Sequence, residues 1–552
     1  MAEQRNVDTF DYVIVGSGAA GSVLAHRLTE DPGITVCVLE CGPPDRHPYI
    51  HVPAGFIKML FNPNYTWQFQ TEPGEGTAGR RIPTTQGRTL GGSSSINGMI
   101  YNRGQRADFD NWAQRGNRGW GYVDVLPYFK RTERRIGIGD DRIHGRSGNL
   151  PVTDIDWIHP VCEAFIDGAA GMGIPRCADY NSGDRQEGVG YFQRAIFKGY
   201  RHSAARVFLH PARRTGRLDV RTDARAAQVL FDGKRATGIR YIDDRDRTTE
   251  YRVFARREVI LSCGTVNTAK LLQLSGVGPA SVLQDIGVPV LADLPVGENF
   301  RDHYSARIVA RVKNVRTINE MARGMGLAGQ IARWMLGKPS ILALSPSLVH
   351  WFWKSDDALD FPDLQGVFSP ASYRQGFVGL LDEFPGMTCG VWQHRPESTG
   401  YVHARSTDPF TDPVIQPNYL KDPMDRRVML AGMRLARRLL HTPELAAYFD
   451  GDVLPGPEVH SDDEWLDFAR RYGSTAYHLI GTARMGPASD PTAVVDDELR
   501  VHGLQALRVV DASVMPNMPS ANTYCSTMMI AEKASDLIRG RPPLAPVEGI
   551  AA

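Results

Sequence analysis

The sequence predicts an α/β protein of more than one domain, whose chain opens with a βαβ unit. Residues 11–16 form a short apolar run that is typical of a buried strand, and residues 34–39 form a second one. Between them, apolar residues recur at the spacing of one helix face: Ala20, Val23, Leu24 and Leu28. The length of 552 residues exceeds what a single hydrophobic core supports, so we expect at least two domains.

A glycine motif, Gly16-Ser17-Gly18-Ala19-Ala20-Gly21, joins the first strand to the helix. In such a motif the first glycine permits a tight turn, the second lets the backbone approach a pyrophosphate, and the third allows close packing of helix on strand. Glu40 ends the second strand, where a carboxylate can accept hydrogen bonds from ribose hydroxyls. These features predict a Rossmann-like dinucleotide-binding domain, and they leave open whether the dinucleotide is NAD or FAD.

Composition and charge exclude several other classes. The 63 Lys and Arg residues nearly balance the 62 Asp and Glu residues, so nothing indicates a nucleic-acid partner. The seven cysteines form no CxxC pair, and no His, Asp or Glu spacing indicates a metal site. The chain shows neither a signal peptide nor an apolar run long enough for an integral membrane segment. We expect a soluble, cytoplasmic protein.

The remaining elements are predicted from periodicity and turn residues. We expect short strands over 217–263, helices over 265–274, 426–447 and 523–538, a strand over 507–510, and a helical, apolar stretch over 313–355. Within that last stretch, residues 325–344 have a second interpretation as a segment lying on a membrane surface, although Arg333 and Lys338 count against it.

A second glycine-rich run, Gly87-Arg88-Thr89-Leu90-Gly91-Gly92-Ser93-Ser94-Ser95-Ile96-Asn97-Gly98, offers many backbone N–H groups to one ligand. The run resembles the first signature of the glucose–methanol–choline (GMC) family of flavoprotein oxidoreductases. Residues 264–278, GTVNTAKLLQLSGVG, resemble its second signature, with Ala269 where the family usually has Pro or Ser. The resemblance extends from Asp11 to about Arg539 and is nearest to choline dehydrogenase-like bacterial members.

The resemblance implies that the dinucleotide is FAD. Glu40 would hold the adenosine ribose, and Ala226 would meet the adenine through its backbone. Some family members attach FAD covalently through a His that precedes the signature Asn; Ile96 stands at that position, so we expect non-covalent FAD. The expected cofactor-binding residues are Gly16, Ser17, Gly18, Ala20, Gly21, Glu40, Arg88, Gly91, Gly92, Ser93, Asn97, Gly98, Met99, Ala226, Asp511, Ala512 and Thr523.

The family fold that the resemblance implies is discontinuous. The FAD-binding domain would comprise residues 1–158, 209–312 and 475–552. The substrate-binding domain, an antiparallel sheet with helices, would comprise residues 159–208 and 313–474.

A catalytic pair is also implied by the resemblance. Residues 478–486 resemble the family's HxxGTxxMG stretch, whose His faces the flavin, and His478 is that residue here. An imidazole suits the removal of a hydroxyl proton near neutral pH. Asn522, in Pro519-Ser520-Ala521-Asn522-Thr523, stands where the family has His or Asn, and it would orient the substrate oxygen. A second interpretation of Asn522 is that it only caps the following helix.

The resulting functional hypothesis is FAD-dependent oxidation of a primary alcohol to the aldehyde, with O₂ or a quinone as the electron acceptor. Trp392 and His394 are candidate substrate residues, and an aromatic lining favours an aryl or other apolar alcohol. The alternatives are choline dehydrogenase activity, a lyase or fatty-acid photodecarboxylase of GMC type, and an FAD-binding module without enzymatic activity.

Overall fold

The computed structural model describes residues 8–183, 186–374, 380–547 and 549–550. Its two largest sheets within these ranges have seven strands each. Each sheet contributes to a separate hydrophobic core. The predicted combination of a dinucleotide-binding domain with an antiparallel second domain is confirmed at this level of architecture.

The first sheet begins with the βαβ unit that the sequence predicted. Apolar residues bury the strand Val36–Leu39 and the C-terminal ends of the neighbouring strands Asp8–Val15 and Glu250–Leu261. In spatial order the strands are Leu218–Arg221, Val36–Leu39, Asp8–Val15, Glu250–Leu261, Arg235–Asp243 and Ala224–Asp232, with Leu507–Val509 also paired to Glu250–Leu261. Arg235–Asp243 pairs antiparallel with both Ala224–Asp232 and Glu250–Leu261, and the remaining pairs of this sheet are parallel.

The second sheet is antiparallel throughout. In spatial order its strands are Phe449–Leu454, Tyr304–Val312, Gly386–Gln393, Leu364–Ser369, Val349–Trp353 and Gly188–Tyr191, and Ser474–Thr475 also pairs with Tyr304–Val312. Because Tyr304–Val312 lies inside this sheet, we propose that the substrate-binding segment starts before Tyr304 rather than at 313.

Nine helices of the described residues have nine or more residues. They are Ala19–Leu28, Arg106–Gln114, Tyr122–Thr132, Pro160–Gly171, Gly264–Leu274, Gly324–Met335, Pro423–Leu440, Asp462–Tyr472 and Tyr524–Ile538. Shorter helices are Pro48–His51, Phe56–Met59, His210–Arg213, Ala280–Asp285 and Ile318–Met321. Two-stranded sheets pair Thr66–Gln70 with Pro83–Gly87, Glu133–Ile136 with Leu150–Thr153, Ile196–Phe197 with Tyr200–Arg201, Val277–Gly278 with Ala292–Asp293, and Tyr401–His403 with Val414–Gln416.

Two predicted elements differ from the structure. The stretch 313–355 is not wholly helical, because Val349–Trp353 is a strand near one edge of the second sheet, where β-branched and aromatic side chains pack well. The helix predicted over 426–447 starts at Pro423, which Asp422 caps, and ends at Leu440. No helix among the described residues is long and apolar enough to cross a membrane.

Candidate active site

The first glycine motif forms the floor of a long cavity. Gly16 has a left-handed φ of +95°, and a Cβ there would lie 2.3 Å from the Ser262 carbonyl oxygen. A Cβ at Gly21 would lie 1.9 Å from the Gly16 oxygen, so this glycine permits the helix to pack on the strand. A Cβ at Gly18 would meet nothing within 4 Å, and Gly18 lines the cavity. The turn is therefore closed against protein and open toward a ligand.

Glu40 is held in a fixed position at the edge of this floor. Its Oε2 atom accepts hydrogen bonds from the Ser17 amide at 3.0 Å and the Ser17 hydroxyl at 2.7 Å. Its Oε1 atom accepts from the Gly42 amide at 3.0 Å. Burial raises the pKa of Glu40, and these hydrogen bonds oppose that shift. The carboxylate lines the cavity, so it can accept further hydrogen bonds from a bound group.

The second glycine-rich run forms the adjoining wall. Gly92 has a φ of +53°, and a Cβ there would lie 2.7 Å from the Gly18 Cα atom, so the two glycine loops touch. Arg201 is buried and secures the end of the run. It donates hydrogen bonds through Nη1 to the Asn97 carbonyl oxygen at 2.7 Å and the Asn97 Oδ1 atom at 2.9 Å. This anchoring fixes the position of Asn97 beside the cavity.

Asp511 joins the end of the short strand Leu507–Val509 to the helix Gly264–Leu274. Its Oδ2 atom accepts from the Gly264 amide at 2.9 Å and the Thr268 hydroxyl at 2.6 Å. Burial raises the pKa of Asp511, against these hydrogen bonds. The carboxylate therefore orders the backbone that surrounds the cavity at this point.

Most of the predicted cofactor residues line this one cavity. They are Gly16, Gly18, Ala20, Glu40, Gly92, Ser93, Asn97, Gly98, Met99, Ala226, Asp511, Ala512 and Thr523. Ser17, Gly21 and Gly91 lie behind the lining. Ser17 donates a hydrogen bond to Glu40, and Gly21 and Gly91 stand where a Cβ would clash with the turns of the two glycine loops. Arg88 also lies outside the lining, because its guanidinium forms an ion pair with Asp244. A direct contact of Arg88 with the cofactor is therefore not supported.

The same cavity brings together His478 and Asn522. His478 is 8 % exposed, and its Nε2 atom lies 3.0 Å from the Asn522 Nδ2 atom. Asn522 directly precedes Thr523, the residue that caps the helix Tyr524–Ile538. The His478 amide donates to the Asp302 Oδ1 atom at 2.8 Å, which fixes the backbone at this position.

A second histidine, His303, sets the tautomer of His478. The His303 Nε2 atom lies 2.7 Å from the His394 carbonyl oxygen, and a carbonyl can only accept, so Nε2 carries the hydrogen. The His303 Nδ1 atom is then an acceptor. It lies 2.9 Å from the His478 Nδ1 atom, which must carry the hydrogen of that imidazole. The His478 Nε2 atom is therefore left with a free lone pair.

The orientation of the Asn522 amide agrees with this assignment. The Gln365 Nε2 atom donates to the Asn522 Oδ1 atom at 3.2 Å, so the NH₂ group of Asn522 faces His478. The hydrogen positions on His303, His478 and Asn522 are assigned from the donors and acceptors that surround them. The NH₂ group of Asn522 thus donates to the lone pair of His478.

Electrostatics keep both imidazoles neutral. Burial, and next the neighbouring His303, lower the pKa of His478 well below the usual 6.5. Burial lowers the pKa of His303 to about 4. Burial also raises the pKa of Asp302 to about 6, against the hydrogen bonds from Thr475, Tyr419 and the His478 amide. At neutral pH the His478 Nε2 atom can accept a proton.

Trp392 lies beside the imidazole, whereas His394 does not. The Trp392 and His478 ring centroids are 5.8 Å apart, and Trp392 lines the cavity. His394 lies just beyond the strand Gly386–Gln393, and its fully buried ring contacts Phe352 instead. The prediction that the His394 side chain lines the pocket does not hold in this structure. Its carbonyl oxygen, however, supports His303.

The sequence prediction missed Asp302, His303 and Arg307. All three lie in or directly before the strand Tyr304–Val312. The alternation of this strand could have placed Arg307 and Ser305 on one face. Nothing local could have placed His303 beside His478, which follows 175 residues later. Within the described residues, no three His, Cys, Asp or Glu side chains form a metal cluster.

A glycine-lined dinucleotide cavity that contains a buried neutral imidazole defines a dinucleotide-dependent oxidoreductase. The chain belongs to the GMC oxidoreductase family, whose models match residues 10–305 and 396–531. It is 39 % identical to an alcohol dehydrogenase [acceptor] of Pseudomonas putida over 533 residues, covering 96 % of this chain and 95 % of that protein.

Two further relatives are similar along their whole length. The chain is 38 % identical over 541 residues to an oxygen-dependent choline dehydrogenase of Escherichia coli, covering 97 % of this chain and 96 % of the other. The structure resembles that of pyridoxine 4-oxidase from Mesorbium loti with a TM-score of 0.86 and 31 % identity, covering 97 % of this chain and 100 % of the other.

Proposed function

We propose that this GMC oxidoreductase oxidises a primary alcohol to the aldehyde, with His478 as the base and Asn522 orienting the substrate oxygen. One observation carries the assignment of these two residues. The His478 Nε2 lone pair faces the Asn522 amide at 3.0 Å in the same cavity that the two glycine loops line. A substrate hydroxyl can replace this direct bond, because its O–H can donate to the imidazole lone pair while its oxygen accepts from the released N–H of the amide.

The protein is FAD-dependent, as GMC oxidoreductases are. The open face of Gly18 fits a pyrophosphate, and the buried carboxylate of Glu40 fits a ribose. Ile96 is 3 % exposed and has no nucleophilic atom, in keeping with non-covalent FAD. When bound, FAD supplies hydride acceptance, and the protein supplies the base and the orientation.

The proton path follows from the hydrogen bonds of His478. The alcohol O–H proton passes to Nε2 as the carbinol carbon loses a hydride, so that two electrons and two hydrogens leave the alcohol. The imidazole then carries a charge, with its Nδ1–H still bonded to His303. The Asn522 amide holds the oxygen that becomes the aldehyde carbonyl.

The apolar part of the cavity lining favours an aryl or other apolar alcohol. Trp392 lies beside His478, and Phe56, Leu60, Val367 and Pro346 line the same cavity. Choline oxidation is the second candidate, because the chain resembles a choline dehydrogenase along its length. A quaternary ammonium would have to rely on aromatic faces alone, because the two carboxylates of the described lining, Glu40 and Asp511, belong to the dinucleotide-binding segments.

We also infer that the electron acceptor is O₂ or a quinone-type compound and that the protein is cytoplasmic. The seven cysteines are free thiols, which supports a reducing compartment.

The test is anaerobic reduction of the bound flavin by a panel of alcohols, followed by a pulse of air. His478→Ala should retain FAD but lose about 10²- to 10⁴-fold in reduction rate, and Asn522→Ala should lose less. His441→Ala, at an exposed imidazole paired with Asp452, is the control. Reduction of the His478→Ala flavin at the wild-type rate would refute the assignment. Failure of every alcohol would favour the lyase, photodecarboxylase or non-enzymatic alternatives.

A further inference from the structure

One cation in the cavity has no role in the proton path. Arg307 lies in the strand Tyr304–Val312 and is half-buried, with its side chain lining the cavity. The register pairs Ser305 with Trp392 and Arg307 with Gly390, so these side-chain positions share one face of the sheet. A Cβ at Gly390 would lie 3.8 Å from the Arg307 Cγ atom, so the glycine leaves room for the arginine stem.

The Arg307 guanidinium has no counter-ion among the described residues. None of their carboxylates lies within 4.0 Å of it, and none of their acceptors is in hydrogen-bond distance. Burial lowers the pKa of Arg307, while the phenols of Tyr477 and Tyr373 raise it. A desolvated guanidinium without an anion is costly, and a ligand that supplies an anion would relieve this cost.

The surroundings of Arg307 suit an oxyanion. Tyr373, Tyr477, Ser369 and Thr388 also line the cavity. The Ser369 and Thr388 hydroxyls donate to the Pro346 and Ala371 carbonyls, whereas the Tyr477 hydroxyl has no partner among the described residues and can donate to a ligand. The Tyr373 hydroxyl donates to the Pro346 carbonyl at 2.9 Å. A guanidinium presents a planar fork of donors that matches a carboxylate in two hydrogen bonds.

The strand sets the offset between the backbone of Arg307 and the backbone position opposite Trp392. Trp392 lies beside His478 and opposite Ser305. Arg307 is two residues farther along the strand, which is about 7 Å at the usual rise per residue. A benzene ring with substituents in para positions, or an aliphatic chain of similar length, matches this offset between backbone positions.

We propose that Arg307 binds a carboxylate of the substrate, so that the preferred alcohols are hydroxy acids with the carbinol at one end and the carboxylate at the other. The proposal rests on the proposed function and specifies its substrate class. It disfavours choline, because the cation that it assigns to this end of the cavity would repel a quaternary ammonium.

The test compares two alcohols of equal length with the FAD-loaded enzyme, namely 4-(hydroxymethyl)benzoate and 4-methylbenzyl alcohol. Arg307→Met should raise the KM for the carboxylate substrate about 10- to 100-fold, and kcat and the KM for the neutral alcohol should change less than about threefold. Arg307→Lys keeps the charge but not the planar fork of donors, so its KM for the carboxylate substrate should lie between those of the wild type and Arg307→Met. Arg311→Met, at an exposed position of the same strand, is the matched control.

A binding measurement separates this proposal from the proposed function. Calorimetric titration with 4-methylbenzoate, which has no carbinol, should give binding to the wild type and at least tenfold weaker binding to Arg307→Met. Equal affinity of both proteins, no binding to either, or an unchanged ratio of the two KM values in Arg307→Met would overturn the role of Arg307. Oxidation of the neutral alcohol alone would leave the proposed function standing. Carboxylate binding with no oxidation of any alcohol would overturn the proposed function and not the anion site.

Discussion

Replacement of His303 by Leu tests whether this histidine sets the tautomer of the base. The change removes the acceptor of the His478 Nδ1–H, now 2.9 Å away, and the donor to the His394 carbonyl oxygen. A buried donor without a partner costs about 1–3 kcal/mol. In the substrate complex, where the hydroxyl oxygen replaces the Asn522 N–H beside Nε2 and can accept, His478 can avoid this cost by moving its hydrogen to Nε2, where the substrate proton has to go. Since about 1.4 kcal/mol is a factor of ten, the active tautomer should become about 5- to 150-fold rarer.

The assay is the stopped-flow rate of flavin reduction by a saturating alcohol without O₂. His303→Leu should slow reduction by about that factor and leave FAD affinity unchanged. His303→Asn keeps an acceptor oxygen near the position of Nδ1, and it should recover most of the rate. A rate for His303→Leu within threefold of the wild type would refute the tautomer argument. Equal losses in Leu and Asn would show that shape, not the acceptor, matters.

Three further outcomes follow from the structure. Because burial lowers the pKa of His478, the rate of flavin reduction should stay constant as the pH falls through 6.5. A pH series of the same stopped-flow assay measures this, and a decline in rate centred at pH 6.5 would contradict the prediction. Gly18→Ala should weaken FAD binding at least about tenfold, because Gly18 faces the cavity, and it should leave the melting temperature of the apoprotein unchanged. Gly21→Ala should lower that melting temperature, because its Cβ would lie 1.9 Å from a backbone oxygen. Burial opposes the charged form of His144, yet hydrogen bonds to Asp179 and Glu133 raise its pKa. The stabilising contribution of His144 should therefore be complete below pH 6.5 and lost as the pH rises through the raised pKa. The urea midpoints of wild type and His144→Gln should accordingly converge at alkaline pH.

Local patterns predicted the parts of the fold that depend on local geometry. Gly18 is open toward the cavity and Gly21 packs against Gly16 within one turn, so their spacing was sufficient, and Glu40 follows at the end of the next strand. The close approach of Gly16 to Ser262 was not predictable from that spacing. The pairing of His478 with Asn522 came from a family pattern and not from local physics. The structure places the two side chains in hydrogen-bond distance.

Other parts of the site could not be predicted, because they depend on strand register between distant segments. Arg307 faces the cavity only because its strand pairs with Gly386–Gln393 in one particular register. A shift by one residue would turn it to the other face. His394 differs for another reason. Alternation would place it on the same face as Trp392, but the strand ends at Gln393, and the His394 ring packs against Phe352 instead of lining the cavity.

The hydrogen bonds of the base have a consequence for how the enzyme loses activity. His478 follows the strand Ser474–Thr475 of the second sheet and is bonded to Asp302 and His303 of that sheet, whereas Asn522 precedes the helix Tyr524–Ile538, which packs in the first core. The boundary between the two halves of the molecule therefore runs between the imidazole and the Asn522 amide. A small slip of one half against the other separates Asn522 from His478 before either core is exposed. Mild denaturant or heat should thus abolish turnover while both halves are still folded, so that inactivation reports the docking of the halves and not their unfolding.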